Sequence, residues 1–593
     1  MQRAKEVEKN RNALKPIIET ILFCAEQELP LRGDHDSGVL SLTRPEQKDG
    51  KFRALLRFRL DAGDENLRAQ IANSAKNAKY LSPDIQNEIL ETGANIVTNK
   101  IINKVNSAKC FSILVDETMD VAGKEQLSLC LRYVDFSSKY PAFREDFVGF
   151  IPITDQTSEN LSKVILKRCT DLHLDMAKLV GQGYDGAANM SGHLSGVQTR
   201  IRQLYPKTRY VHCASHRLNL ALSNTMSLPS VRNCLGIVNE IANLFRNHSN
   251  ANTTFQDVIQ KHAPESKKRR LVRLCETRFI ERHESIISFV ELFKFIVLSL
   301  EIISSKTWSI LSKASAFLAA VEKSDILLSL FVCEQLFSLT LPLSVQLQEK
   351  SMDFVSAMNR AKELIRTLHQ IRETADGFFN DIFQTASQMS KDLFDTDLVV
   401  PRVTSRQTTR ANPPCTTPES HFRVTIFIPC VDALIQNMTE RLLVNEDILS
   451  SFQILLPGFA AIDNAEELKN LTIYFEEQIS MTALKSEYRL WCASLSTIDP
   501  TIEVLKLLQH CDATYFKNIH YLLTILATLP VTTASVERTF STLKRIKTLP
   551  RSVMGNERLS ALAVIAVHWD IKIDPDEVIN NMANKKKRKI LLI

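Results

Sequence analysis

Leu179-Val180-Gly181-Gln182-Gly183-Tyr184-Asp185-Gly186-Ala187-Ala188-Asn189-Met190-Ser191-Gly192 is the stretch whose reading decides the fold. Five of the chain's 16 glycines (181, 183, 186, 192 and 196) fall within sixteen residues here. Glycine lacks Cβ, so such crowding marks a backbone that turns tightly or approaches another group closely. An apolar run, then the glycines, then a helix-like pattern over 187–204 predict strand, tight turn and helix. Asp185 stands at the mouth of that turn, where a carboxylate faces a metal or a substrate rather than a core.

The same glycines spell G-x-G-x-x-G, the dinucleotide fingerprint, which needs an acidic residue about 20 positions on to hold a ribose hydroxyl. None is present: no Asp or Glu occurs from Ala187 to Asn239, and Asp185 would put a negative charge in the pyrophosphate cradle. That stretch carries instead Arg200, Arg202, Lys207, Arg209, Arg217 and Arg232. A carboxylate at a turn followed by a purely basic segment suits a metal site acting on a phosphodiester.

Working outward, residues 1–95 read as a lead-in of helix-like segments (15–27, 66–78) without a site of their own. A helical pattern over 96–108 runs into the buried-strand pattern 110–115, ending in Asp116-Glu117-Thr118. Strands follow at 126–134 and 146–153, then a helix (158–172), the strand before Gly181, a helix (187–205), a short strand (210–213) and a helix (216–223). Three strands, helix, strand, helix, strand, helix is the order of an RNase H-like α/β core, in which the first strand lies centrally beside the fourth. Asp116 and Asp185 would then meet on one edge. Two carboxylates sharing a site repel unless a cation neutralises them, and hard oxygen ligands select Mg²⁺ or Mn²⁺. Alone, Asp116 would read as an ordinary strand-end carboxylate.

From 226 to 500 long amphipathic helical patterns take over. They are interrupted near 399–418 by a basic, proline-rich loop whose Arg402, Arg406 and Arg410 suit either a solvated linker or contact with a phosphate backbone. After 500, Ser535 reads as an N-cap that places Glu537 in the first turn of a helix running to about 547. Glu537 either complements the helix dipole or supplies a third acid to the site. The last apolar helix, 556–568, presents Leu559, Leu562, Ala563, Ile565 and Ala566 as a broad face that wants a partner.

Composition sets the frame. At 593 residues, 44% apolar and 24% charged, the chain reads as two or three soluble domains, and a net charge of +6 leans only mildly toward polyanions. Twelve cysteines without a C-x-x-C pair argue for a reducing compartment. No secretory leader is evident, and the apolar run 286–303 is interrupted by charges, so no membrane partner is expected. The run Lys585-Lys586-Lys587-Arg588-Lys589 reads as a nuclear import signal or a solvated tail.

Four motifs together resemble the hAT superfamily of DNA transposases, in the branch of the zinc-finger MYM-type proteins. They are Ile113-Leu114-Val115-Asp116-Glu117-Thr118, the glycine stretch through Met190, His212-Cys213-Ala214-Ser215-His216-Arg217-Leu218-Asn219-Leu220, and Ser535-Val536-Glu537-Arg538-Thr539-Phe540-Ser541. The resemblance implies an RNase H-like core (96–225) interrupted by a large all-helical insertion (226–500) and closed by a C-terminal dimerisation region (501–593). It implies catalytic, metal-binding roles for Asp116, Asp185 and Glu537, with Mg²⁺ or Mn²⁺ as cofactor. The family's Cys-x-x-His falls on Cys213 and His216, read as structural. Its Thr-Arg-Trp falls on Thr277-Arg278-Phe279, with phenylalanine for tryptophan, and implies nucleic-acid contact by Arg278 and Phe279. The family's usual N-terminal zinc-finger ligands do not precede residue 95. The implied function is a nuclear, DNA-associated transposase or its descendant, self-associating, and able to cleave and join DNA strands. The rival is a domesticated, non-catalytic regulator that keeps the fold and the dimer surface.

Overall fold

In the computed structural model, all residues are described except 1, 37, 74–78, 273–278, 307–309, 350–351, 402–414, 444–445, 476–479, 586–587, 589 and 593. The chain divides into two compact units, Met1–Cys213 with Ser451–Ile593, and Ala214–Ser450. The first is mixed α/β. It holds five strands, β1 (Phe111–Met119), β2 (Glu125–Asp135), β3 (Ala142–Ile153), β4 (Leu179–Tyr184) and β5 (Arg209–His212), in the order β3-β2-β1-β4-β5. The β1–β2 and β2–β3 pairs are antiparallel, while β4 runs parallel to both β1 and β5. Phe111 to Val115 and the whole of β4 are buried, as a sheet covered on both faces requires.

The glycine stretch folds differently from the tight turn expected of it. Gly181 and Gly183 are strand residues of β4, and none of the five crowded glycines has a positive φ. What they supply is room. A Cβ on Gly181 would lie 2.3 Å from Ser112 Oγ and 2.9 Å from Pro530 Cδ, and one on Gly183 would lie 2.8 Å from both Leu114 Cδ2 and Pro530 Cβ. The segment after helix Lys517–Thr528 thus lies directly on the sheet, where Ser112 Oγ donates to the Thr528 carbonyl at 2.8 Å. The helix expected over 187–205 is also two helices, Ala188–Ser191 and Val197–Leu204. They are separated where Gly192 and Gly196 pack so tightly that a Cβ on Gly196 would lie 2.5 Å from the Gly192 backbone.

Residues 1–95 are part of this unit's core. Helix Gln2–Glu26 buries Ile17, Ile18 and Ile21, and it packs on helices Asn556–Val567 and Pro575–Lys585. Ion pairs from Arg11 and Lys15 to Asp576, and from Arg588 to Glu88, join the two ends of the chain. Leu559, Leu562, Ala563 and Ile565 are accordingly buried against helix Pro83–Ser107 and β3. That apolar face already has its partner within the unit, so it is no evidence for self-association.

The second unit holds helices and no strand among its described residues. Its helix Ser324–Gln346 is long and apolar enough to cross a membrane, yet it is mostly buried inside its own unit as a core helix. Helix Ala214–Thr225 packs on Ile428–Leu442, where Arg217 donates to the Arg441 carbonyl at 2.8 Å. Arg217 is therefore a packed, structural arginine.

The close approach of Pro530 and Ser112 to β4 gives a direct test. Gly181→Ala should cost about 1–3 kcal/mol in chemical denaturation, because neither a proline ring nor a bonded serine can move aside cheaply. An unchanged unfolding midpoint would contradict this packing.

Candidate active site

Asp116 lies on β1 directly opposite Ser128 of β2. The parallel register of β1 on β4 pairs Leu114 with Gly183, so two residues further on Asp116 comes level with Asp185, just past the end of β4. Asp185 closes a short turn: its Oδ1 accepts from Ala187 N at 3.3 Å, and Tyr210 OH donates to its carbonyl at 3.0 Å. Neighbouring strands thus place these two acids side by side, as their order along the chain leads one to expect.

Glu537 arrives from about 350 residues downstream. It sits in the first turn of helix Ala534–Ile546, whose N-cap is Thr533 rather than the expected Ser535. Thr533 is itself held by Cys213, whose Sγ accepts from Thr533 N at 3.2 Å and lies 3.3 Å from Thr533 Oγ1. Ser535, freed from capping, donates to Glu145 Oε2, and Glu145 pairs with the buried Arg132 at 2.5 Å. Further along, Thr539 Oγ1 lies 2.8 Å from Ser128 Oγ, the residue opposite Asp116. At the far end Lys547 Nζ meets Asp120 Oδ2 at 2.6 Å, both side chains almost wholly buried. The helix is fastened to the sheet at its start, middle and end, and this brings the charge of Glu537 to bear on Asp116.

The electrostatics record that convergence. Burial, then the charge of Glu537, then that of Asp185 push the Asp116 carboxyl up to about 8. Beside it Glu117 rises to about 7, through burial and then the charges of Asp185 and Glu125. Glu117 Oε1 is buried with no hydrogen-bond partner among the described residues. Glu117 belongs to the cluster, and the sequence signal for it was the adjacent Asp-Glu pair at the end of β1.

Donor chemistry and preorganisation bear separately on a metal. Carboxylate oxygens that repel one another suit a hard divalent cation. Among the described residues, however, no three His, Cys, Asp or Glu side chains stand as a ready-made metal-binding group. Mg²⁺ is commonly held by one or two carboxylates, its own waters and substrate phosphates rather than by an all-protein cage, so the residues fit such an ion without being arranged around one.

His216 is in the first turn of helix Ala214–Thr225, in the second unit. Phe279 begins helix Phe279–Glu291. Arg278, Arg402, Arg406 and Arg410 lie outside the described residues. Of the basic segment, Arg209 is anchored to Tyr474 by a 3.0 Å hydrogen bond and by stacking of its guanidinium on the ring.

Comparison with known proteins matches two stretches of the chain. A family model described as "ZMYM1/FAM200, RNase-like domain" matches residues 1–196, and one described as "hAT family C-terminal dimerisation region" matches residues 474–571. Over these two stretches the chain is similar to ZMYM1/FAM200-type and hAT-family proteins. It is similar to the 52 kDa repressor of the inhibitor of the protein kinase of Homo sapiens, at 26% identity over 97% of this chain and 76% of that protein. The protein of the same name from Mus musculus is also 26% identical, over 97% of this chain and 77% of its own length.

A carboxyl raised in the folded state favours the protonated form there. Its contribution to stability is fully present below pH ~4 and is lost as pH rises through about 8. Without divalent cation, Asp116→Asn should therefore raise the melting temperature at pH 8 more than at pH 5. Equal shifts at both values would mean that the three acids do not act on one another.

Proposed function

We propose that this chain acts on DNA as a dimer joined through residues 474–571, and that Asp116, Asp185 and Glu537 are the carboxylates of a Mg²⁺- or Mn²⁺-dependent phosphodiester-cleaving site. The observation that carries the reading is the coupling of Asp116 to both other acids, each delivered by a different element. A divalent ion there would activate water or a 3′-hydroxyl and stabilise the leaving oxygen. The chain's own part is to hold the three carboxylates within reach of a phosphate and to keep Glu537 fixed by the contacts along its helix. Arg200 and Arg202, on helix Val197–Leu204, and Arg209, on β5, would offer charge to the DNA backbone. The helical second unit is read as the family's insertion, and the nucleus as the site of action.

A second reading is a domesticated regulator that binds DNA and dimerises without cutting it. The absence of a ready-made metal group among the described residues favours it, as does the name of the relatives, a repressor.

Cleavage of family-type DNA ends in Mn²⁺ or Mg²⁺ separates the two. On the catalytic reading activity is weak, metal-dependent and abolished by Glu537→Gln, which keeps the side chain's shape and removes its charge. Activity that survives Glu537→Gln, or no activity with any metal from a chain that light scattering shows to be dimeric, leaves the regulator. A strict monomer at micromolar concentration would remove the dimer from both readings.

A further inference from the structure

Away from the acidic site, the first unit contains a groove of about 1780 Å³ lined by residues 30–61 and 548–561 together with Asn87 and Glu91. Three arginines from separate segments meet in it. Arg32 comes from the loop after the first helix, Arg551 from the turn Leu549–Arg551, and Arg558 from the first turn of helix Asn556–Val567. Their hydrogen bonds run to neutral acceptors. Arg558 Nη1 donates to Asn87 Oδ1 at 3.1 Å, and Arg32 Nη2 donates to the same oxygen at 3.2 Å and to the Pro83 carbonyl at 3.3 Å. These bonds hold the guanidinium groups together without neutralising them. Arg558 Nε is buried and has no hydrogen-bond partner among the described residues.

The cost of this assembly shows in its charge. Burial, then Arg32, then Arg551 drive Arg558 down to about 10, an effect that Asp36 offsets only in part, and burial lowers Arg551 as well. Of the acids lining the groove, Asp49 pairs with Arg53 and Arg57 and Glu91 with Lys585, while Asp34, Glu46 and Asp61 form no ion pair with the three arginines among the described residues. Helix Asn556–Val567 starts at this point from Gly555 with no side-chain cap, so its first backbone N–H groups add to the positive field. Glu557 in that turn offsets part of the field but, among the described residues, makes no hydrogen bond or ion pair with the three arginines. Clustered guanidinium groups with an orphaned N–H suit an anion, and the fork of a guanidinium matches the oxygens of a phosphate.

We propose that Arg32, Arg551 and Arg558 bind a phosphate group. It would come either from a nucleic-acid backbone or from a small free phosphate, and this pocket is separate from the carboxylate cluster. The proposal does not depend on cleavage, since it concerns other residues.

Melting of the full chain in inorganic phosphate or pyrophosphate, against chloride at equal ionic strength, reads the small-ligand source. Anisotropy of a labelled random-sequence duplex reads the nucleic-acid source. We expect either a rise of about 2–4 °C in phosphate or pyrophosphate, or duplex binding weakened at least about tenfold by Arg558→Gln and by Arg551→Gln. The Arg551 side chain makes no hydrogen bond among the described residues, so its variant guards against a folding defect in the Arg558 variant. The proposal is overturned if neither anion shifts the melting temperature and duplex affinity is the same in wild type and both variants. It is equally overturned if a shift persists unchanged in both variants.

Discussion

The buried ion pair between Asp120 and Lys547 is the contact on which the candidate site depends. Burial alone would raise Asp120, but hydrogen bonds from Lys547 and Gln126 outweigh it and hold the carboxyl below its usual range. Removing one partner of such a pair costs about 3–5 kcal/mol, because the other is left charged and dry. It therefore closes the β1–β2 turn onto the end of the Glu537 helix firmly, despite the 427 residues between them. The Arg132–Glu145–Ser535 chain does the same at the helix start, and Cys213 fixes its cap. Glu537 lies between these anchors, so its position follows from contacts it does not itself make.

The two carboxylates of β1 and its turn then respond to pH in opposite senses. Asp116, raised by burial and then by the charges of Glu537 and Asp185, contributes stability at low pH that is lost as pH climbs through about 8. Asp120, lowered by its partners, contributes stability above the ordinary carboxylate range that is lost on acidification. One acid secures the architecture and the other stores repulsion at the site. Stored repulsion of this kind is what a divalent cation relieves, and it is tolerated because the surrounding helix and sheet are fastened independently.

The sheet was legible because its strands carry short apolar runs ended by turn residues, and because two of them end in aspartate. Their order gave the adjacency of Asp116 and Asp185, and the late Ser-Val-Glu motif offered Glu537 as a candidate third acid. What misled was the glycine stretch. Gly181 and Gly183 are spaced like turn glycines, but their cause is Pro530, almost 350 residues away, and no local pattern encodes a distant proline. The N-terminal segment looked siteless for the same reason, since its apolar faces pack against the other end of the chain and Arg32 meets Arg551 and Arg558 there. The apolar face of helix Asn556–Val567 was legible as a face, but only the fold shows that helix Pro83–Ser107 and β3 cover it. Glu117 was visible as a letter and acquires meaning only from the charges around it.

The most direct test of the account is the anomalous scattering of Mn²⁺ in a crystal of the full chain. The account requires one dominant peak enclosed by the carboxylates of Asp116, Asp185 and Glu537, with the Lys547–Asp120 pair intact beneath it. A saturated crystal with no peak there, or with Glu537 turned away from the two aspartates, would contradict it.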